Sequence, residues 1–308
     1  MSDSSSIDMS VDIGGIRMKN PVMVASGTFG YGPEYADLVD LNRLGALVVK
    51  GICLQPTRGN PTPRTAEAAS GLLNAIGLPG PGVDGFVKSY MPFLRGFNVP
   101  VIVNIWGKTI DEYVEVARRF DQVEGIAGLE VNVSCPNIKE GSALFGTDLD
   151  MFRRTLDGIR GATRLPLIPK LAPNVADITA FARAAEHCGA NAISLINSFP
   201  GMAVDIKTRR PKLANVTGGL TGPAIRPIAV RLVWQAAKAV TIPVIGMGGI
   251  STLDDALEFF IVGANAVALG TVNFTNPAAA VAVIDGLTAY LKQIEASSPR
   301  ELVGTLAS

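Results

Sequence analysis

Histidine is almost missing from this chain: of 308 residues only His187 is one. Multi-histidine metal sites and serine–histidine triads are thereby excluded, because each needs imidazoles at the chemistry. Cysteine is scarce and odd in number. Cys53, Cys135 and Cys188 lie far apart, which argues against a disulfide framework, a zinc knuckle or an iron–sulfur cluster built by this chain. Reduced thiols fit the cytosol. No sign of charge is in excess, since 27 basic residues balance 27 acidic ones, and no net field draws the chain to nucleic acid or to an anionic membrane. No apolar run reaches membrane-spanning length, and the polar opening residues lack the basic and apolar regions of a signal peptide. We therefore expect a cytoplasmic protein whose partner is a small molecule.

What the chain does contain is a series of short, continuous apolar runs rich in β-branched residues. They fall at 21–25, 46–50, 99–104, 128–133, 167–171, 192–196, 242–246 and 266–269. Runs without alternation indicate parallel strands covered on both faces, and eight of them, most followed by a helical pattern, predict a (β/α)8 barrel spanning residues 1–308 as one domain. Helix starts and stops support the repeat. Thr109 precedes an amphipathic stretch at 111–120, and Ser251 precedes one at 252–262 that stops at Gly263. A third helix is expected at 176–188, ending at Gly189, which places His187 and Cys188 on the barrel face remote from the strand C-termini. Residues 51–98 and 197–224 are long and rich in Gly and Pro, so we read them as inserted loops forming a pocket or lid. Residues 7–18, with Gly14-Gly15 at the centre, read as a hairpin plugging the barrel bottom.

Barrel enzymes keep their chemistry at the C-terminal ends of the strands. The groups there are Ser26, Lys50, Asn104, Asn132 with Cys135, Lys170, Asn197 with Ser198, Gly248-Gly249 and Gly270-Thr271. Cys135 is followed by Pro136, which ends the strand and stiffens the turn that carries the thiol. Asn132 and Asn137 flank it with uncharged donors and acceptors suited to a planar polar ligand. Two glycine loops after the seventh and eighth strands, the first leading into a helix, form the usual barrel site for a phosphate. Glu130 sits in the fourth apolar run, where a carboxylate needs a partner; we read it as one half of a structural ion pair.

The segments Ala25-Ser26-Gly27-Thr28, Lys50-Gly51, Asn74-Ala75-Ile76-Gly77-Leu78, Asn132-Val133-Ser134-Cys135-Pro136-Asn137, Lys170, Ile196-Asn197-Ser198 and Gly248-Gly249-Ile250 resemble the catalytic subunit of class 1 dihydroorotate dehydrogenases over nearly the whole chain. The resemblance implies one FMN per chain and oxidation of dihydroorotate to orotate in pyrimidine biosynthesis, with Cys135 as base. It implies flavin contacts from Ser26, Lys50, Gly51, Asn104, Asn132, Lys170, Ile196, Gly222, Gly248, Gly249, Gly270 and Thr271. Substrate contacts are implied for Lys50, Asn74, Ala75, Ile76, Gly77, Leu78, Asn132, Asn137, Asn197 and Ser198. Class 2 enzymes carry serine at the position of the cysteine and an N-terminal membrane-binding extension, neither of which is found here.

Asn60-Pro61-Thr62-Pro63-Arg64 and the Asn74 segment are closer to the 1B subfamily. Its partner subunit carries FAD and a [2Fe–2S] cluster and passes electrons to NAD, in a heterotetramer around a homodimeric core. Ser198, where many 1B sequences have Thr, and Gly80, where Asn often follows the Gly-Leu pair, depart from that pattern. The competing readings are a fumarate-dependent 1A enzyme, another FMN barrel reductase such as a tRNA-dihydrouridine synthase, and a non-catalytic phosphate-binding barrel with a structural Cys135. Net neutrality gives no support to a tRNA substrate.

Overall fold

The computed structural model describes residues 7–133 and 145–307. Eight parallel strands close into a barrel in chain order: Val22–Val24, Ala46–Ile52, Val101–Ile105, Ile126–Asn132, Leu167–Lys170, Ile193–Leu195, Val244–Met247 and Ala266–Leu269. All eight expected apolar runs are strands. The second runs two residues further than expected, to Ile52, and the seventh begins at Val244, two residues later than expected.

The helices form because their apolar residues recur at helical spacing and their ends are capped. In Ile110–Asp121 the buried residues are Tyr113, Val116, Ala117 and Phe120, one stripe facing the sheet. The Thr109 hydroxyl accepts from the Glu112 N–H at its start, with Asp111 and Glu112 in the first turn and Arg118 and Arg119 in the last, each sign favourable to the helix dipole. Leu149–Arg160 repeats the design, with Asp148 as cap and Phe152, Thr155, Leu156 and Ile159 inward. Leu253–Ile261 starts on a full capping box between Thr252 and Asp255. The third expected helix is Ile178–His187, with Asp177 as cap; Cys188 follows it, buried, its thiol pushed up to about 11 chiefly by burial.

Two cores result. The larger lies between the strands and the surrounding helices. The smaller fills the barrel, where Met23, Ala46, Ile102, Ile168, Ala192, Ile245 and Ala266 meet Val11, Ile13, Ile16 and Met18 of the hairpin Val11–Ile13/Ile16–Met18. The hairpin thus closes the bottom as expected. Fully burying each such aliphatic side chain contributes about 1.5–3 kcal/mol.

At the other end, the two long insertions pair with each other. Thr65–Ala68, Gly71–Asn74, Thr217–Thr221 and Phe199–Met202 form a four-stranded antiparallel sheet, with Asn74 opposite Gly219. Among the described residues no helix is long and apolar enough to cross a membrane.

Candidate functional site

Side chains in a strand alternate between faces, so each barrel strand sends every second residue inward. Moving up by two converts the apolar interior into a polar floor: Ala46 and Val48 lead to Lys50, Ile102 to Asn104, Ile168 to Lys170, and Ala192 to Ser194. Register brings these groups level, since Asn104 pairs with Glu130, and Lys170 with both Asn132 and Ser194. Above them lies an open cavity, roofed in part by the antiparallel sheet.

Most of the site residues expected from the sequence line this cavity. Ser26, Lys50, Gly51, Asn104, Asn132, Lys170, Ile196, Gly222, Gly248, Gly249, Gly270 and Thr271 do so, as do Asn74, Ile76, Gly77, Leu78, Asn197 and Ser198. Ala75 does not: its methyl packs with Leu73 and Leu213 under the roof sheet, and its backbone is tied to Arg64 and Asn60. Cys135 and Asn137 lie outside the described residues. Cys53 is away from the cavity, its thiol raised to about 11 chiefly by burial, and His187 and Cys188 end a helix remote from it, as expected.

Hydrogen bonds fix which atom each amide presents. Asn197 donates from Nδ2 to Asn132 Oδ1 at 3.1 Å and accepts the Ser198 N–H at 2.8 Å. The Asn132 carbonyl accepts from the buried Tyr113 hydroxyl at 2.8 Å, locking the end of the fourth strand. Asn74 donates to the Gly219 carbonyl at 3.3 Å, and Thr57 and Asn60 pin the carbonyls of Leu78 and Ala75, so the 74–78 segment is held from two sides. Lys170 Nζ donates to Ser26 Oγ at 3.3 Å and stands 3.5 Å from Glu130 Oε1. The expected ion pair of Glu130 is therefore present, and it lies directly beneath the cavity.

Lys50 is the second cation of the lining. Burial first, and the nearby Arg64 second, lower its pKa from the ordinary value. A lysine so placed gains from an anionic ligand, which restores a counter-charge in a partly desolvated setting.

At one end the lining turns to glycine. Gly222, Gly248 and Gly249 all have positive φ, and Gly222 precedes the turn Pro223–Ile225 that runs into the helix Arg226–Ala237. Gly270 precedes a second helical turn, Thr271–Phe274. Backbone N–H groups at glycine bends and helix starts suit an anion. At the other end Asn104 Oδ1 is buried with no hydrogen-bond partner. A buried acceptor without a donor is costly and calls for a ligand N–H. An anion corner, a planar polar floor and a cation together fit a phosphate-bearing heteroaromatic group.

Several lining residues were not visible as site residues in the sequence: Thr65, Leu72, Thr221, Ile225, Met247 and Phe274. Thr221 and Met247 stand one residue before Gly222 and Gly248, a signal that was present. The others come from the roof sheet and short helices, whose positions depend on non-local pairing.

Comparison with known proteins adds the family. The family model described as dihydroorotate dehydrogenase matches residues 8–291. The protein named dihydroorotate dehydrogenase B (NAD(+)), catalytic subunit, of Geotalea uraniireducens is 52% identical over 299 residues, covering 97% of this chain and 98% of that protein. Proteins of the same name from Trichlorobacter lovleyi (52%, covering 97% of this chain and 98% of that protein) and Alkaliphilus metalliredigens (51%, covering 97% and 99%) agree with it. A parallel eight-stranded barrel, a polar floor at its strand ends and similarity along nearly its full length together make this chain a member of the dihydroorotate dehydrogenase family.

Proposed function

We propose that this chain oxidises dihydroorotate to orotate in pyrimidine biosynthesis, with FMN in the cavity as the immediate electron acceptor. The observation that carries the reading is the polar lining: a buried, unpartnered Asn104 Oδ1, the Lys170 ammonium and a glycine corner all border one cavity. When bound, FMN supplies a two-electron sink for the hydride that leaves C6 of the substrate.

The remaining work belongs to the chain. Cys135, as thiolate, takes the C5 proton on its Sγ, so that the C5–C6 double bond forms as proton and hydride depart. Lys50 binds the substrate carboxylate through its ammonium group. Asn74, Asn132, Asn197 and Ser198 orient the ring through uncharged hydrogen bonds, which tolerate burial when fully paired. Lys170, braced by Ser26 and Glu130, provides positive charge where negative charge develops. Gly222, Gly248, Gly249, Gly270 and Thr271 hold the phosphate.

Electrons leave through a second subunit carrying FAD and a [2Fe–2S] cluster, and NAD is the final acceptor. The relatives' name, a catalytic subunit of an NAD-linked enzyme, supports this, as does a cysteine set too sparse for a cluster in this chain. Anaerobic addition of dihydroorotate to the purified yellow protein tests the reading. The visible flavin absorbance should bleach, and Cys135→Ala should slow bleaching severely while orotate still binds. A colourless protein, or rapid bleaching in the alanine variant, would refute the cofactor or the base respectively.

A further inference from the structure

Glu130 is 1% exposed, and three strands aim a donor at its carboxylate. Oε1 accepts the Asn104 amide at 2.6 Å and faces the Lys170 ammonium at 3.5 Å, while Oε2 accepts the Ser194 hydroxyl at 2.9 Å. A structural ion pair needs only one of these contacts. A carboxylate accepts and does not donate, so the amide group that Asn104 turns toward it must be the NH2. Its carbonyl is thereby turned away, toward Gly51 of the cavity lining: a Cβ built on Gly51 would lie 2.9 Å from Asn104 Oδ1. That oxygen is the buried acceptor with no partner.

We propose that Glu130 is the positioning residue of this floor: by holding the Asn104 NH2, one carboxylate oxygen turns Asn104 Oδ1 to the cavity lining as an acceptor for an N–H of the flavin. The pyrimidine edge of an isoalloxazine carries one such group, N3–H. Glu130 touches neither substrate nor cofactor; it acts through Asn104. The inference rests on the flavin reading above and deepens it.

The test reads binding and not turnover. Flavin-free protein is titrated with FMN and with 3-deaza-FMN, in which a C–H replaces the N3–H with little change of shape, following fluorescence quenching. Wild type should prefer FMN by about tenfold or more, the size expected for losing a donor to a buried acceptor. Glu130→Met removes both acceptor oxygens with little change of size, so the Asn104 NH2 loses its partner and the amide is free to turn over and present NH2 to the ring. The preference should collapse to about threefold or less. Glu130→Asp keeps the charge one methylene short, and its preference should fall between the two.

A residue that only supports the fold would weaken both ligands equally. An unchanged FMN preference in the methionine variant therefore overturns the inference while leaving the cofactor reading intact. Failure of the wild type to bind either flavin overturns both. If the methionine variant does not fold, the aspartate variant decides: a preference below wild type supports the role, and one equal to wild type overturns it.

Discussion

Replacing Gly249 with alanine should damage stability and cofactor binding together, and the two effects can be separated by a control. Gly249 has φ +78°, a left-handed conformation that costs an L-residue about 1–2 kcal/mol. The new Cβ would also stand 2.8 Å from the Gly222 carbonyl oxygen, 2.9 Å from Arg226 Cβ and 3.1 Å from Pro223 Cα. The first and third are backbone atoms that cannot swing aside, so overpacking adds about 1–3 kcal/mol. The expected loss is therefore about 2–5 kcal/mol, taken up by parting the Gly249 bend from the Gly222 helix start, the two sides of the anion corner.

Gly304→Ala is the control, because Gly304 has φ +72° and no atom within 4 Å of a built Cβ. It should lose only the conformational part, about 1–2 kcal/mol, with no change in flavin affinity. Urea denaturation of both flavin-free variants, with flavin titration of each, measures the terms. A Gly249→Ala protein as stable as the Gly304 variant would refute the packing argument. One that is destabilised yet binds FMN as wild type does would refute the phosphate assignment.

Other consequences concern the substrate side. Gly219 has an ordinary φ, but its Cβ would meet Ser198 Oγ at 2.1 Å and Ser198 Cβ at 2.5 Å, so Gly219→Ala should weaken orotate binding about tenfold with FMN content unchanged; spectral titration of the bound flavin with orotate reads it, and unaltered affinity would remove Ser198 from the substrate site. Lys50 binds an anion only as the ammonium, and burial with Arg64 lowers its pKa from 10.5, so orotate affinity should begin to fall, as pH rises, at a value below 10.5. Lys50→Met should abolish that alkaline limb, and a limb that survives in the variant would assign it to another group.

Much of the barrel could be read from the chain because parallel strands buried on both faces are continuous apolar runs, and Thr109 announces its helix as a cap; the helix expected to follow Ser251 is instead capped by Thr252. The polar floor was equally legible: Lys50, Asn104, Asn132 and Lys170 end such runs, and period-two alternation points them inward. The roof sheet was not. Thr65–Ala68 and Gly71–Asn74 have little apolar alternation, and the pairing of Gly71–Asn74 with Thr217–Thr221 joins segments about 145 residues apart, as between Asn74 and Gly219. Ala75 was grouped with its neighbours on resemblance, although its side chain serves the roof's own small core. Glu130 was recognised as a buried carboxylate needing a partner, but that Asn104 and Ser194 join Lys170 on it depends on the register of neighbouring strands.

The central claim is that this chain performs the dihydroorotate half-reaction and depends on a second subunit to reach NAD. The most direct measurement is the rate of dihydroorotate oxidation by the purified chain with a single acceptor supplied: an artificial dye, NAD or fumarate. Turnover is expected with the dye, none with NAD or fumarate, and NAD reduction once an FAD and iron–sulfur subunit is co-expressed. Efficient fumarate reduction by the chain alone, or NAD reduction without a partner, would contradict it.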